Sequence, residues 1–328
     1  MTIVDRRISL TMGPLLFNWP IEKWRDFYAR LADEAPVDTV HLGEVVCSKR
    51  LPFYIDAIPE AVERLQRGGK TVVFGTLALI TLMRERKDSV NIVRNDVCEV
   101  EVNDIAALAH LQEGQAFRTG PYVNVYNEST LRFLARLGTS SVCLPPELPI
   151  NSVKLLGGAA RSLNVGCEVW SFGRVPLAIS GRCYHARLEG LTKDSCQFVC
   201  ARDHDGLAVD TMDGEHFLAI NGVQTMSHTY CNTIGDVMRL ADVGVTALRL
   251  SPHSCDMVAI TQTFRDRLDE ALGSDEAMRR IEEICGGEAF SNGFLFGKAG
   301  AEMAPESGID GEAAVSGRTA PTASQSLL

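Results

Sequence analysis

The sequence predicts an α/β protein made of one (β/α)-barrel domain of the TIM-barrel type. Short apolar segments alternate with amphipathic segments at helical spacing along most of the chain. Repeated strand–helix units imply parallel strands joined by right-handed crossovers. Eight or nine such units can be counted, and that number favours a closed barrel over an open sheet. The chain of 328 residues is long enough to bury the core of such a barrel.

The predicted elements follow from local patterns, taken in chain order. Pro20 suits the first turn of the first helix, because its missing N–H would have no partner there. Gly138 is expected to cap a helix over residues 128–137. The predicted strands are 7–13, 38–43, 70–76, 97–102, 116–124, 139–144, 166–170, 217–221 and 245–250. The predicted helices are 21–34, 77–95, 105–111, 128–137, 153–163, 232–241 and 257–272.

Two regions are predicted from composition. Residues 1–300 carry the alternation and form the barrel-like domain. Residues 301–328 are rich in Ala, Ser, Gly and acidic residues with little apolar periodicity, which predicts a disordered tail.

The net charge and the hydropathy of the sequence argue against a general nucleic-acid binder and against a membrane-spanning protein. The net charge of −10 argues against a general nucleic-acid binder, since phosphate contacts need a basic surface. No run approaches the roughly 18 apolar residues of a membrane span, and the apolar stretch near the N-terminus is short and broken by Pro14. No signal peptide is therefore expected, and the predicted location is cytoplasmic, where thiols stay reduced.

Cysteines mark the most informative stretch. Three of the ten cysteines, Cys183, Cys196 and Cys200, fall within eighteen residues with the spacing C-x12-C-x3-C. A fourth, Cys47, follows a predicted strand, and in a barrel of this kind functional residues collect at the C-terminal ends of strands. Four other residues are also expected at or just beyond the ends of predicted strands. They are Asn124, Pro145, Arg174 and Ser251.

The spacing leaves three interpretations of the four cysteines open. Thiolates are the usual ligands of [4Fe–4S] clusters, and four of them can also hold structural zinc. Zinc ribbons usually present two C-x-x-C pairs, which this chain lacks. The thiols can also be unrelated buried residues. On a helix, Cys196 and Cys200 would share one face.

Other candidates are less specific. Glu44 at a strand end is a candidate pocket carboxylate, and His41, inside a predicted strand, is expected to be a core or pore-lining residue. Basic residues near the cysteines can offset thiolate charge or remain solvated; they are Lys49, Arg50, Arg182 and Arg187. Three histidines in loop-like contexts lack a metal-binding partner pattern; they are His185, His228 and His253. No Walker loop, dinucleotide fingerprint or serine-hydrolase elbow is present, and no catalytic residue is identified.

A set of motifs in one order resembles a known family. Together they resemble the collagenase-like peptidase family, and in particular its UbiU/UbiV members, which serve ubiquinone biosynthesis without oxygen. The resemblance covers roughly residues 8–297. The motifs are LGEVVCSKR (42–50), TLAL (76–79), NVYNESTLRFL (124–134), LPPEL (144–148), SFGRVPLAISGRCYHAR (171–187), KDSCQFVC (193–200), NGVQTMS (221–227) and RLSP (249–252).

The resemblance implies a cofactor, partners and an activity. It implies a [4Fe–4S] cluster on Cys47, Cys183, Cys196 and Cys200, and a heterodimer with the sister protein UbiU, assisted by the lipid-binding accessory protein UbiT. Such a complex hydroxylates the aromatic ring of ubiquinone precursors under anaerobic conditions, with oxygen that does not come from O2. A peptidase and a zinc-stabilised scaffold are the alternative functions.

Overall fold

The computed structural model describes residues 7–305, and within that range the chain forms twelve β-strands. The barrel strands other than β7 are short, because a parallel strand buried on both faces needs only a few apolar residues to cross the core. The strands are β1 (Ser9–Met12), β2 (Thr39–Leu42), β3 (Thr71–Gly75), β4 (Glu99–Val102), β5 (Phe117–Thr119), β6 (Thr139–Cys143), β7 (Gly166–Ile179), β8 (Leu207–Asp210), β9 (His216–Asn221), β10 (Gln224–Asn232), β11 (Ala247–Leu250) and β12 (Phe290–Ser291).

Eight of these strands close a parallel barrel. Strands β1 to β7 pair in chain order, β7 pairs with β11, and β11 pairs back with β1. The last contact aligns Ser9 with Ala247, so the first and last barrel strands complete the ring. The predicted (β/α) barrel is therefore confirmed.

Nine α-helices accompany the strands in the described part of the chain. Helix α1 buries Trp24, Phe27, Tyr28 and Leu31 on one face, as its periodicity predicts. Gly138 ends α4 in the left-handed conformation, with φ of 101°, which confirms the predicted cap. The helices are α1 (Ile21–Asp33), α2 (Ile58–Arg67), α3 (Met83–Val93), α4 (Glu128–Leu137), α5 (Ile150–Ser162), α6 (Tyr184–Leu188), α7 (Val237–Asp242), α8 (Met257–Leu268) and α9 (Ser274–Cys285).

An antiparallel extension departs from the predicted alternation. Strand β7 continues to Ile179, far beyond the barrel, and pairs there with β10, which pairs with β9 and through it with β8. The segment predicted as a barrel strand over 217–221 is β9 of this extension. The prediction that this segment is a barrel strand was wrong. Apolar alternation is a local pattern, whereas the partners of a strand are set by the whole fold.

Three element boundaries also differ from the prediction. Residues 105–110 form a 3-10 helix, and the strand predicted over 116–124 ends at Thr119, because Pro121 opens a further 3-10 turn. The helix predicted from residue 77 begins only at Met83, where the Glu85 carboxylate accepts the N–H groups of Thr81 and Leu82.

Part of the region predicted as a disordered tail lies within the described residues. Residues 306–328 of the expected disordered tail lie outside the described residues. Of the tail's first five residues, Ala304 is buried and its N–H donates to the side chain of Asn292 at 2.7 Å.

Among the helices within residues 7–305, none has both the length and the apolarity that a bilayer span requires.

Charged residues occupy the centre of the barrel. Arg249 on β11 forms an ion pair with Glu101 on β4 and contacts Glu168 on β7 at 2.6 Å. His41 on β2 lies 3.4 Å from Glu101. Since β4 and β11 lie on opposite sides of the ring, these side chains must point into the interior. His41 is fully buried, as expected for a core or pore-lining residue.

The buried arginine sets the ionisation of its neighbours. Burial alone would raise the pKa of Glu101, but Arg249 and His41 hold it well below the usual range of a carboxyl group. Burial lowers the pKa of His41, which keeps the imidazole neutral at pH 7. The centre of the barrel is thus a layer of ion-paired polar side chains rather than an apolar one.

We expect Arg249→Met to lower the free energy of unfolding by about 3–5 kcal/mol, because it leaves two buried carboxylates without their cation. Replacing both carboxylates as well, with Glu101→Gln and Glu168→Gln, should recover much of that loss. Urea unfolding of the three proteins checks this. A triple variant no more stable than Arg249→Met would contradict the assigned ion pairs.

Candidate four-cysteine site

The structure brings the four predicted cysteines to the wall of one small cavity. Cys47 comes from the loop after β2, while Cys183, Cys196 and Cys200 come from the segment between β7 and β8. All four are free thiols of intermediate exposure. Their convergence is an observation of the fold, and their role as ligands remains a prediction.

Glu44 shapes the loop that carries Cys47. Its Oε1 accepts the backbone N–H groups of Val46 and Cys47, both at 2.8 Å, and its Oε2 accepts the hydroxyl of Tyr54 at 2.9 Å. Burial raises the pKa of Glu44, although Arg50 and the two N–H groups oppose the shift. The predicted pocket carboxylate is therefore a positioning group for Cys47.

A close backbone approach fixes where this loop begins. Gly43 adopts φ of 101°, a region that L side chains rarely occupy. A Cβ at this position would lie 3.1 Å from the carbonyl oxygen of Gly75 at the end of β3. A glycine between the strand and the loop lets the chain turn toward the cavity without a clash.

Arg50 connects the loop to the rest of the site. Its guanidinium is buried, with 2% exposure, and donates to the carbonyl of Leu16 at 2.7 Å and to the side chain of Asn221 at 2.9 Å. Burial alone would lower the pKa of Arg50, but Cys200 and Glu44 beside it hold the pKa above the usual range. Arg50 therefore supplies a permanent positive charge to the cavity wall.

The segment carrying Cys183 is held against the β9–β10 turn. Cys183 precedes α6, and the N–H of Tyr184 donates to the carbonyl of Gly222 at 2.8 Å. His185 Nδ1 accepts the N–H of Gly222 at 2.8 Å, and its Nε2 lies 3.1 Å from Asp203. These contacts fix Cys183 at the edge of the cavity.

Cys196 and Cys200 do not lie on a common helix, so the condition under which their spacing would place both sulfurs on one helix face is not met. Gln197 and Phe198 between them both adopt the left-handed conformation, with φ of 48° and 53°, and a 3-10 turn begins only at Val199. Two consecutive left-handed residues cost free energy. Contacts with neighbouring elements, rather than helix formation, therefore hold the two sulfurs.

Two such contacts join this turn to the Cys47 loop. The ring of Phe198 packs edge-on against Phe53, with centroids 4.6 Å apart. Lys49 Nζ donates to the carbonyls of Lys193 and Asp194 at 2.7 and 3.0 Å. The loops carrying Cys47 and Cys196 are thus fastened across the cavity.

The thiols lie in an environment that combines burial with positive charge. Burial raises the pKa of Cys47 and of Cys183 above the usual range of a thiol, while Arg50 opposes both shifts. Asn18 Nδ2 donates to the Sγ of Cys200 at 3.7 Å. Without a ligand, Cys47 and Cys183 are therefore protonated at neutral pH, and binding of a metal group would release protons.

The four cysteines do not surround a common position for one metal ion in the described part of the chain. Within residues 7–305, no three or more His, Cys, Asp and Glu side chains lie close enough to hold one common metal ion. A tetrahedral zinc site, with Zn–S of about 2.3 Å, needs its four sulfurs on the same ion. A [4Fe–4S] cluster accepts one thiolate on each iron and so takes a wider set.

Three basic residues line the wall of the cavity. Lys49, Arg50 and Lys193 line the cavity with the four cysteines. The buried Nε–H of Arg50 has no hydrogen-bond acceptor among the described residues. Cationic and unused donor groups of this kind stabilise an anionic cluster with thiolate ligands.

The remaining predicted candidates lie outside the cavity, and Arg174, expected at a strand end, lies within β7 instead, because that strand continues to Ile179. Arg174 lies on the extended part of β7 and donates to the carbonyl of Asp205 at 2.9 Å, and His253 pairs with Asp205. Asn124 follows β5 in a left-handed conformation, with φ of 60°. Pro145 lies two residues after the end of β6, Ser251 follows β11 directly, and neither lines the cavity.

The sequence did not single out Asn18, Asn221 or Glu85 as site residues. Asn18 and Asn221 meet Cys200 and Arg50 from segments more than 150 residues away, so no local spacing reveals them. Glu85 accepts the hydroxyl of Ser48 at 2.8 Å and lies 4.0 Å from Lys193. Its only local signal is its place three residues after a helix start.

We expect Glu44→Ala to lower the free energy of unfolding by about 1–3 kcal/mol, because two buried N–H groups lose their acceptor. Glu44→Gln should stay close to the natural protein, since its amide oxygen can accept the same N–H groups. Urea unfolding and the alkylation rate of Cys47, followed by mass spectrometry, check both variants. Equal losses in the Ala and Gln variants would contradict this role of Glu44.

Comparison with known proteins gives one family match and three solved structures of low similarity. A family model described as peptidase family U32 matches residues 21–305. The chain is similar to an enolase from Agrobacterium radiobacter, with 16% identity over 51% of this chain and 45% of that chain and a TM-score of 0.35. It is also similar to an uncharacterized B. cereus protein, with 11% identity over 74% and 60% of the two chains and a TM-score of 0.32.

A third similar structure is the tryptophan synthase subunit alpha from Campylobacter jejuni. The identity is 14% over 85% of this chain and 96% of that chain, with a TM-score of 0.23. The chain spans about half the length of the first two solved proteins, 45% and 60%.

Proposed function

The chain belongs to peptidase family U32, and from that premise we propose that it is a UbiV-type iron–sulfur subunit. In this proposal, Cys47, Cys183, Cys196 and Cys200 hold a [4Fe–4S] cluster. The chain works as a heterodimer with a UbiU-type protein in the oxygen-independent ring hydroxylation of ubiquinone precursors. A UbiT-type lipid-binding protein delivers the apolar substrate.

The observation that carries the proposal is the convergence of the four cysteines on one cavity with a buried arginine in its wall. Loops after β2 and β7 supply the thiols, and both follow strands at the C-terminal end of the barrel. A bound cluster supplies electron transfer at a potential set by burial and hydrogen bonds. The chain's own part is to hold the thiolates, offset their charge through Arg50, and donate to Cys200 from Asn18.

The geometry of two buried histidines argues against the peptidase alternative. His185 and His253 are each paired with an aspartate, as a catalytic base would be. In both, however, the second ring nitrogen accepts a backbone N–H, from Gly222 and Arg174 respectively. Neither histidine has a free nitrogen to take a proton from a nucleophile.

We expect the anaerobically purified chain to carry about four iron and four acid-labile sulfide atoms, with a broad absorption band in the visible range. Cys196→Ser and Cys200→Ser should lose most of the iron, because each removes a ligand. Cys98→Ser, a half-buried thiol outside the cavity, is the matched control and should keep it. One zinc per chain, or full iron in both ligand variants, would contradict the cluster.

We expect ring hydroxylation of a prenylated phenol precursor in cells grown without O2 only when this chain and its UbiU-type partner are both present. Cys200→Ser should abolish the product, whereas Cys98→Ser should not. Mass spectrometry of extracted quinones measures the outcome. Product formation by Cys200→Ser, or by cells lacking the chain, would show that the cysteine site is not required.

A further inference from the structure

A second cavity lies on the other side of the loop that carries Cys47. It has a volume of about 170 Å³ and lies between α2, α3 and the ends of β2 and β3; we call it the α2–α3 pocket. Glu44 and Ser48 line this pocket, whereas Cys47, Lys49 and Arg50 line the cysteine cavity. One short loop therefore separates the two cavities and contributes to both.

The wall of the α2–α3 pocket is largely apolar. Such a lining binds hydrocarbon by the release of water from apolar surface. Ile55 is 47% exposed and lines the pocket, so the opening to solvent is itself apolar. Phe74 supplies an aromatic ring, which favours a ligand ring beside it. The apolar side chains of the wall are Leu51, Ile55, Ile58, Phe74, Leu77 and Ile92.

One hydroxyl in the pocket has no partner. Ser89 lines the pocket from α3 and is only 1% exposed, and its Oγ makes no hydrogen bond to any described residue. A buried hydroxyl without a partner costs free energy, which a ligand hydroxyl at the same place would recover. The carboxylate of Glu44, by contrast, is already bound by the loop and by Tyr54.

The charge of the lining selects against anionic ligands. The ionisable residues that line the pocket are Glu44 and Asp88, and its twelve lining residues include no Lys, Arg or His. A fatty acid or a phosphate would therefore bury its charge without a counter-ion. A neutral ligand with one hydroxyl and a large apolar body fits the wall.

We propose that the α2–α3 pocket binds a phenol that carries an isoprenoid chain, with the phenolic hydroxyl on Ser89 and the chain passing Ile55. This inference rests on the proposed function, which requires an aromatic substrate with an apolar chain. It deepens that function by placing the substrate on the opposite side of the Cys47 loop from the cluster ligands.

Binding of three small probes tests the assignment on the full chain purified without O2. The probes are 2-geranylphenol, geranylbenzene, which lacks the hydroxyl, and decanoate, which carries a charge. We expect geranylphenol to bind about threefold to tenfold more tightly than geranylbenzene, as one hydrogen bond implies, and decanoate to bind weakest. Isothermal titration measures all three.

Variants connect the binding to the pocket. Ser89→Ala should remove the preference for geranylphenol over geranylbenzene. Ile92→Trp, which fills the pocket, and Ile55→Lys, which adds charge at its opening, should each weaken both ligands at least tenfold. Leu155→Trp, on the exposed face of α5, is the control and should bind like the natural protein.

Several results would overturn the proposal. They are the absence of saturable binding, decanoate binding as tight as that of geranylphenol, an unchanged preference in Ser89→Ala, or unchanged affinity in both Ile92→Trp and Ile55→Lys. Iron measured on the same samples separates this inference from the cluster. Ligand binding by protein that contains no iron would support the pocket and contradict the cluster. Iron in protein that binds no ligand would support the cluster and contradict the pocket.

Discussion

The burial of the Arg50 guanidinium is the constraint on which the cysteine site depends. A fully buried cation is stable only when its donors are bound and negative groups lie close. Leu16 and Asn221 bind two of its donors, and Glu44 and Cys200 lie beside it. These partners come from four separate parts of the chain. Satisfying one side chain therefore draws the β1, β2 and β7 loops and the β9–β10 turn into one structure.

A second buried arginine, Arg249, organises the barrel interior in the same manner, but with a different balance of charge. Glu101 and Glu168 are carboxylates that stay ionised beside it, so one buried guanidinium is shared by two carboxylates. The negative groups of the cysteine cavity include thiols whose pKa is raised by burial, such as that of Cys47. In the barrel the carboxylates are therefore already ionised beside their cation, whereas in the cavity the thiols become negative only when they lose their protons.

The barrel and the cysteine cluster could be predicted because both leave local signals. Short apolar strands alternating with helices specify parallel pairing, and thiols at strand ends must meet at one face of a barrel. The antiparallel extension could not be predicted, since β9 has the same alternation as a barrel strand. Arg50 and Asn221 are 171 residues apart, and only the completed fold shows that they touch. Glu101 and Arg249 are charged residues within predicted buried strands, which is unusual. Their pairing could not be predicted, because it depends on how the strands lie across the ring.

Closure of the ring through β1 and β11 has a consequence for synthesis of the chain. The partner of Met12 is Leu250, so β1 has an unpaired edge until nearly the whole barrel has been made. Translation at about 5–20 residues per second puts roughly 10–50 seconds between the two strands. During that interval β1 pairs only with β2, and its other edge can pair with foreign strands. The nascent chain therefore exposes the free edge of β1 until residue 250 has left the ribosome.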